Sequence, residues 1–138
     1  MLAVYDGDYI TEDLRKLPQN HADLIEAFLQ ELIDDERALT TLLRRDAVNH
    51  CPDFNSKVIE FLLRAGYNLA RISPKGGILG RYRIIYAIDN QHDDFYLLAI
   101  VEKNFTDTYT EAKYNYEPNH PITTRICAEY EHSRIPYV

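Results

Sequence analysis

The residues best suited to chemistry are five positive side chains between Phe61 and Ile88, a stretch with no acidic residue. They are Arg64, Arg71, Lys75, Arg81 and Arg83. An arginine within an apolar strand must reach water, a carboxylate or a phosphate, because burying it unpaired costs too much free energy. The chemistry that such a set favours is the binding of phosphate groups.

Aromatic and titratable side chains follow in the polar stretch after Val101. They are Lys103, Tyr109, Tyr114, Tyr116 and His120. A single-stranded RNA site requires positive side chains that bind the phosphates and aromatic rings on which the bases stack. The residues alone leave a second interpretation equally open, in which the arginines pair with acidic helices of the first half and the tyrosines only pack at an interface.

Three predicted strands would position these cations. The segment Tyr82–Ile88 alternates apolar residues on one face with Arg83 on the other. The segment Phe95–Val101 is a continuous apolar run, which is typical of a strand covered on both faces. Arg71 lies on the preceding strand, Tyr67–Ile72, and Lys103 follows the third. If the strands are neighbours, these cations converge on one concave surface.

The first half of the chain predicts a short strand and then helices. Leu2–Tyr5 is followed by the turn signal Asp6-Gly7, which indicates a hairpin to Tyr9–Ile10. Thr11 is the predicted cap of a short helix that Pro18 ends, and Asn20 is the predicted cap of a long amphipathic one. That pattern resumes after Asp34–Arg37, so one bent helix and two helices both fit.

Two further helices are predicted. One covers roughly Asn55–Ala65, with Gly66 at its C-terminal cap. The other is a closing helix over Ile122–Tyr130, with Pro121 near its first turn and a loosely held tail after it.

Composition bounds the function classes. The chain has 138 residues and a net charge of −7, which by itself argues against a nucleic-acid partner. All of that excess lies in residues 1–63, with 13 acidic and 6 basic side chains, whereas residues 64–138 have 9 of each. Because the excess negative charge lies outside the predicted sheet, the sheet itself is locally cationic.

Cysteines, histidines and the N-terminus favour an intracellular protein without a cofactor. Two cysteines are too few for a disulfide framework, and the five histidines lack zinc spacing, so no metal or other cofactor is expected. The acidic N-terminus does not resemble a signal peptide, and no segment approaches transmembrane length. We expect one cytoplasmic domain over residues 1–138, without a membrane partner.

The sheet motif resembles the RelE/ParE superfamily of toxins from toxin–antitoxin systems. The strand with a basic residue, Leu69–Ile72, is followed by Gly80 and then by Tyr82-Arg83-Ile84-Ile85-Tyr86. Ala99-Ile100-Val101 with Lys103 is similar to the family's next strand, and Phe105–Ala112 to its short aromatic segment. The stretch from Tyr116 to Tyr130 resembles the ending of one RelE-like subgroup. The likeness covers roughly residues 67–130.

The resemblance implies a fold, an activity and partners. The fold would be α+β, with a helical pair packed on a twisted, mainly antiparallel sheet of about four strands, and a C-terminal helix. RelE-type members are endoribonucleases that cleave messenger RNA, usually within the ribosome. The ribose 2′-hydroxyl attacks its own 3′ phosphate without a metal, and cations stabilise the dianionic transition state. The partners would be a cognate antitoxin protein, mRNA and the ribosome.

Site roles follow from the resemblance. The catalytic candidates are Arg83, Lys103, Tyr109 and His120, and the RNA-binding candidates are Arg71, Lys75, Arg81, Tyr116 and Arg125. Lys103 would stabilise the transition state, and Tyr109 would stack or act as the base. His120 is a candidate acid/base because histidines titrate near neutral pH, but a histidine at a helix start can instead bond the backbone. Arg125 could equally be a salt-bridge partner.

Three departures from the family leave other functions open. The chain is acidic and longer than many members, and Leu69 stands where some catalytic members have a lysine. The alternatives are a gyrase-inhibiting, ParE-like toxin and a protein–protein interaction domain whose cations pair with a partner helix. Arrested growth with shortened mRNA, inhibited supercoiling, or neither effect would separate the three.

Overall fold

A computed structural model of the chain describes residues 2–43, 49–50, 53–102 and 115–138. Its strands are β1 Ala3–Asp6, β2 Asn49–His50, β3 Phe54–Val58, β4 Leu69–Pro74, β5 Tyr82–Asp89 and β6 Asp94–Glu102. Its helices are α1 Ile10–Arg15, α2 Gln19–Asp34, α3 Glu36–Thr41, α4 Glu60–Arg64 and α5 Pro121–His132, and a 3₁₀ turn covers Leu79–Arg81. None of the described helices is long and apolar enough to cross a membrane.

The strands form one open sheet in the order β1-β6-β5-β4-β3-β2. Only β1 runs parallel to its neighbour, β6, and every other described pair is antiparallel. The predicted α+β class, with a mainly antiparallel sheet and a C-terminal helix, is confirmed. The described sheet has six strands instead of about four, because β2 and β3 extend it at one edge.

The two faces of the sheet bury separate cores, as the alternation in β5 predicts. Tyr82, Ile84, Tyr86 and Ile88 pack with α2 and α3, through side chains such as Ile25 and Leu39. On the other face, Ile85 and Ala87 pack with Ile126 and Tyr130 of α5. Strand β6 is buried on both faces, also as predicted. The acidic helices α2 and α3 therefore cover one face of the sheet, and α5 covers the other.

The predicted N-terminal hairpin is wrong. Strand β1 pairs with β6, from Ala3 opposite Asp94 to Asp6 opposite Leu97, and Ile10 begins α1. Neither Thr11 nor any other side chain caps α1. Gly7 is required for a close approach, because a Cβ there would overlap a carboxylate oxygen of Glu129 and the carbonyl of Leu97. A glycine needed for proximity and a glycine needed for a turn look the same in sequence.

The long helical pattern forms two helices. Helix α2 starts directly after Pro18, so Asn20 lies inside its first turn instead of capping it. Asp35 separates the helices in an extended conformation, and its side chain accepts hydrogen bonds from the amides of Arg37 and Ala38. This N-cap supplies partners for amides that α3 leaves unsatisfied. The acidic residue that interrupts the apolar stripe thus starts a new helix.

The helix predicted over Asn55–Ala65 is half strand. Phe54–Val58 is β3, which pairs with β4, and the helix covers only Glu60–Arg64. Gly66 follows it with φ +100°, as expected for the residue after a helix C-cap. Backbone hydrogen bonds to β4 decide the conformation here, and a local helical pattern cannot anticipate them.

The C-terminal tail is bound to the domain, contrary to the loosely held tail predicted. Ile135 is buried, and the amide of Val138 donates to the carbonyl of Gly66 at 3.0 Å. Tyr67 and Tyr137 both donate to the same Glu131 oxygen at 2.8 Å, and this bond raises the pKa of Tyr67 far above its usual value. The tail therefore belongs to the core under α5.

Candidate nucleic-acid interface

Arg71 and Arg83 lie on the same face of the sheet. Arg71 of β4 is directly opposite Ile85 of β5, and Arg83 is two residues from Ile85. The two arginines are therefore diagonal neighbours, a relation that typically separates residues by roughly 7–8 Å. Both are half-buried. The pair therefore shares one face of the sheet, but only Arg71 lines the concave pocket on it.

Neither arginine is neutralised by a carboxylate of the described residues. Within the described ranges, no carboxylate forms an ion pair with Arg71 or Arg83. The Nε atom of Arg83 is buried and has no hydrogen-bond partner among the residues that the structure describes. Because α2 and α3 pack on the opposite face, their carboxylates cannot serve these arginines. Among the described residues, neither Arg71 nor Arg83 pairs with the acidic helices of the first half.

A third cation, Lys57 of β3, was missed by the sequence prediction. It is directly opposite Arg71, and the two line one concave pocket of about 440 Å³. The predicted helix over this segment concealed it. The signal that could have found it is the alternation of buried Phe54 and Ser56 with Asn55 and Lys57, which lie on the other face.

Tyr116 forms part of the wall of this pocket. Its ring is only 4% exposed and packs with the core under α5. Its backbone has φ +59°, in the left-handed region that costs a non-glycine residue roughly 1–2 kcal/mol. Strained residues of this kind concentrate at functional sites, and the strain here inserts the ring beside Lys57 and Arg71.

Lys75 and Arg81 lie at the end of the sheet, outside the strands. Lys75 follows β4, and its amide donates to the carbonyl of Asp53 at 2.9 Å. Arg81 ends the 3₁₀ turn before β5, and both side chains are exposed. Lys75 and Arg81 therefore lie next to the same sheet as Arg71, but neither lines the pocket.

His120 caps the C-terminal helix. Its Nδ1 accepts a hydrogen bond from the amide of Ile122 at 3.1 Å, and the residue is buried at the N-cap of α5. The backbone-bonding role left open for this histidine is therefore the one that the structure shows. An imidazole held in this way serves the helix start, and the acid/base role of His120 stays a prediction from the resemblance.

Arg125 is bound to Asp13, the second of the two roles open to it. Its Nη1 and Nη2 donate to the two carboxylate oxygens at 2.9 and 2.8 Å, and its Cζ lies 4.7 Å from the ring centre of Tyr9. Asp13 also accepts a hydrogen bond from the amide of Ile100 at 3.0 Å. Ile100 lies on the part of β6 that extends beyond the end of β1. The pair closes a sheet edge, and its charge is not free for RNA.

Glu129 is a buried carboxylate beside this pair. Its Oε1 accepts a hydrogen bond from the amide of Asp8 at 2.5 Å, whereas its Oε2 is buried without a partner in the described part of the chain. Burial raises its pKa, and the charges of Asp8 and Asp13 act in the same direction. The Asp8 amide and Arg125 oppose the shift.

Replacing Glu129 with glutamine should stabilise the protein at neutral pH by about 1 kcal/mol. A carboxyl with a raised folded pKa is favoured when protonated, so its stabilisation is complete at low pH and is lost as the pH rises through that pKa. Glutamine keeps the acceptor for Asp8 and cannot ionise. Thermal melting from pH 4 to 8 should show a gap that shrinks towards pH 4, and a constant gap would refute the titration.

Two predicted catalytic residues, Lys103 and Tyr109, lie outside the described residues. Their roles stay predictions that come from the resemblance. The described part of the candidate interface is therefore Lys57, Arg71 and Arg83 on three neighbouring strands, with the ring of Tyr116 beside Lys57 and Arg71.

Comparisons with known proteins give structural similarity alone. No protein-family model and no curated protein matches the sequence. The fold is similar to the archaeal RelE-RelB complex from Pyrococcus horikoshii, with 17% identity and a TM-score of 0.42 over 73% of this chain and 93% of the other. It is also similar to the toxin-antitoxin complex RelBE2 from Mycobacterium tuberculosis, with 20% identity and a TM-score of 0.40 over 73% and 96%. Since both TM-scores are below 0.5, the function proposed below rests on the residues of this chain.

Proposed function

We propose that this protein is the toxin of a type II toxin–antitoxin system, a metal-independent endoribonuclease that cleaves mRNA at the ribosome in the cytoplasm. The observation that carries the proposal is the set of Lys57, Arg71 and Arg83 on one face, with no carboxylate paired to them among the described residues. Like charges on neighbouring strands destabilise a sheet unless an anion separates them. An RNA phosphate would remove that cost.

The charge distribution permits this despite the net charge of −7. The acidic side chains of α2, including Asp23, Glu26 and Glu31, are exposed on the far side of the sheet. A Debye length of about 8 Å at physiological ionic strength screens them from the cations. The local field at the interface is therefore set by the strands.

The reaction is a transesterification within the RNA. The 2′-oxygen attacks the adjacent phosphorus and loses its proton, the bond from phosphorus to the 5′-oxygen breaks, and that oxygen takes up a proton. The products are a 2′,3′-cyclic phosphate and a 5′-hydroxyl. Arg71 and Arg83 would hold the phosphate and stabilise the two negative charges of the transition state.

Proton transfer falls to residues named by the resemblance. His120 is occupied as a helix cap. Tyr109 remains the proposed base. Lys103 is the residue proposed to stabilise the negative charge that develops in the transition state. A tyrosine base works best at neutral pH when its surroundings lower its pKa from the ordinary value of about 10.

The proposed partner is an antitoxin that covers the cationic face. An acidic segment would neutralise Lys57, Arg71 and Arg83 and block access of RNA. A small open reading frame next to this gene should encode it. Co-expression of that frame should restore growth.

The direct test is cleavage of a defined mRNA by the purified protein. We expect cleavage with ribosomes, with 5′-hydroxyl ends that accept phosphate from polynucleotide kinase without prior dephosphorylation. Arrested growth on induction should accompany shortened transcripts. Inhibited DNA supercoiling with intact mRNA would instead favour the gyrase-directed alternative, and no effect in either assay would favour a protein-binding domain.

A further inference from the structure

The pocket beside Arg71 contains an aromatic side chain that the mechanism does not use. Phe61 lies on the short helix α4 and is 52% exposed, whereas its neighbour Leu62 is buried. It lines the same pocket as Lys57, Arg71 and Tyr116. A phenylalanine this exposed lacks the favourable free energy of burying its ring. Its position beside two cations therefore requires an explanation.

The two cations of this pocket form a cross-strand pair of like charge. Lys57 is directly opposite Arg71, a relation that puts the Cβ atoms roughly 4.5–5.5 Å apart and destabilises the sheet when both residues are charged. The side chain of Lys57 is exposed and that of Arg71 is half-buried. An anion bound between the two strands would relieve the repulsion between these two cations.

The carboxylates near the pocket do not supply that anion. Glu60 and Glu117 both line it, but Glu60 pairs with Arg64 at 4.0 Å along α4, and Glu117 accepts from the amide of Asn115 at 3.1 Å. No described ion pair joins either carboxylate to Lys57 or Arg71. Among the described residues, Lys57 and Arg71 thus have no carboxylate partner, although the four charged residues that line the pocket sum to zero formal charge.

We infer that this pocket binds one unstacked nucleotide of a single-stranded RNA, with its phosphate at Lys57 and Arg71 and its base against Phe61. The inference rests on the proposed function and adds a subsite next to Arg83. The volume of about 440 Å³ lies within the range of roughly 300–1,000 Å³ of small-ligand pockets. An RNA duplex would not bind in this way, because its bases remain stacked on each other and cannot reach Phe61.

An acidic peptide is the competing occupant, and it explains less. A carboxylate would satisfy Lys57 and Arg71 but has no flat ring for Phe61 to stack on. A nucleobase has that ring, and base stacking on an aromatic side chain contributes about 1–3 kcal/mol per base. The combination of a cation pair and an exposed aromatic ring therefore favours a nucleotide.

The test measures binding of a fluorescein-labelled octauridylate by anisotropy, without ribosomes, at several salt concentrations. Phe61→Ala should weaken binding by about tenfold and leave the salt dependence unchanged, since a stacking contact carries no charge. Lys57→Ala should reduce the slope of log affinity against log salt by about 0.7, the value for one lost phosphate contact on a single strand. Leu24→Ala and Lys16→Ala, both exposed and outside the pocket, are the matched controls.

The outcomes separate the pocket from the nuclease. Pocket variants that bind the octamer like the controls, while Arg83→Ala loses cleavage, would overturn the subsite and leave the proposed function standing. Binding that depends on Phe61 and Lys57 without any cleavage would support the subsite and refute the nuclease. A glutamate octamer that binds through Phe61, with no binding of RNA, would overturn the nucleotide and indicate a protein partner. Melting curves within a few degrees of wild type show that each variant is folded.

Discussion

Replacing Arg83 with alanine should lower the rate of mRNA cleavage by roughly a hundred- to a thousand-fold, the usual cost of removing one donor from a transition-state site. The melting temperature should stay within a few degrees of wild type. Arg83 has no ion pair among the described residues, so its removal leaves no buried charge without a partner. Single-turnover cleavage with ribosomes and thermal melting measure the two quantities.

The matched control is Arg83→Lys, which keeps the charge but loses the planar fork that binds phosphate with two hydrogen bonds. We expect an intermediate rate from it. Unchanged cleavage by Arg83→Ala would remove the arginine from the mechanism. A loss of several kcal/mol of stability would instead mean that Arg83 holds the fold. Growth on induction provides the same contrast in cells.

Replacing Asp13 with alanine should have the largest effect on stability, about 3–5 kcal/mol. It would leave the Arg125 guanidinium without its bidentate partner and the Ile100 amide without an acceptor. Asp13 is only 8% exposed, so water cannot replace these bonds. Since a domain of this size is typically stable by only roughly 5–15 kcal/mol, much of the folding free energy would be lost.

Urea unfolding at pH 7 measures this effect through the midpoint and slope of the transition. Glu12→Ala, an exposed carboxylate on the same helix, is the control and should change stability by less than about 0.5 kcal/mol. The double variant Asp13→Leu/Arg125→Met should recover part of the loss, because it removes both charges together. Equal unfolding midpoints for Asp13→Ala and Glu12→Ala would show that the pair contributes nothing.

Local patterns predicted the centre of the fold well. Strands β5 and β6 and helix α5 lie close to their predicted bounds, because alternation and helical spacing follow directly from backbone geometry. The same rule placed Arg83 on the face of β5 opposite to Tyr82, Ile84 and Tyr86. Errors occurred where partners distant in sequence decide the conformation, as in β1 beside β6 and β3 beside β4.

The candidate site was predicted in part for the same reason. Arg71 and Arg83 lie on strands that the patterns identified, and their shared face followed once the strands were neighbours. Lys57 and Phe61 were missed because their segment was predicted as one helix, although it contains a strand and then a helical turn. His120 and Arg125 have residue types that suit catalysis or RNA, but their neighbours give them structural roles.

The sequence alone determined the apolar faces of β5 and β6, and it showed five cations between Phe61 and Ile88 with no acidic residue among them. Such information is local, since the period of a strand depends only on consecutive residues. Only the tertiary structure decided which cations remain unpaired. Arg125 meets Asp13 across 112 residues, whereas Arg71 meets Lys57 across a strand pair that no local pattern records. Charge pairing depends on distance in space, and that distance is set when the sheet and helices pack.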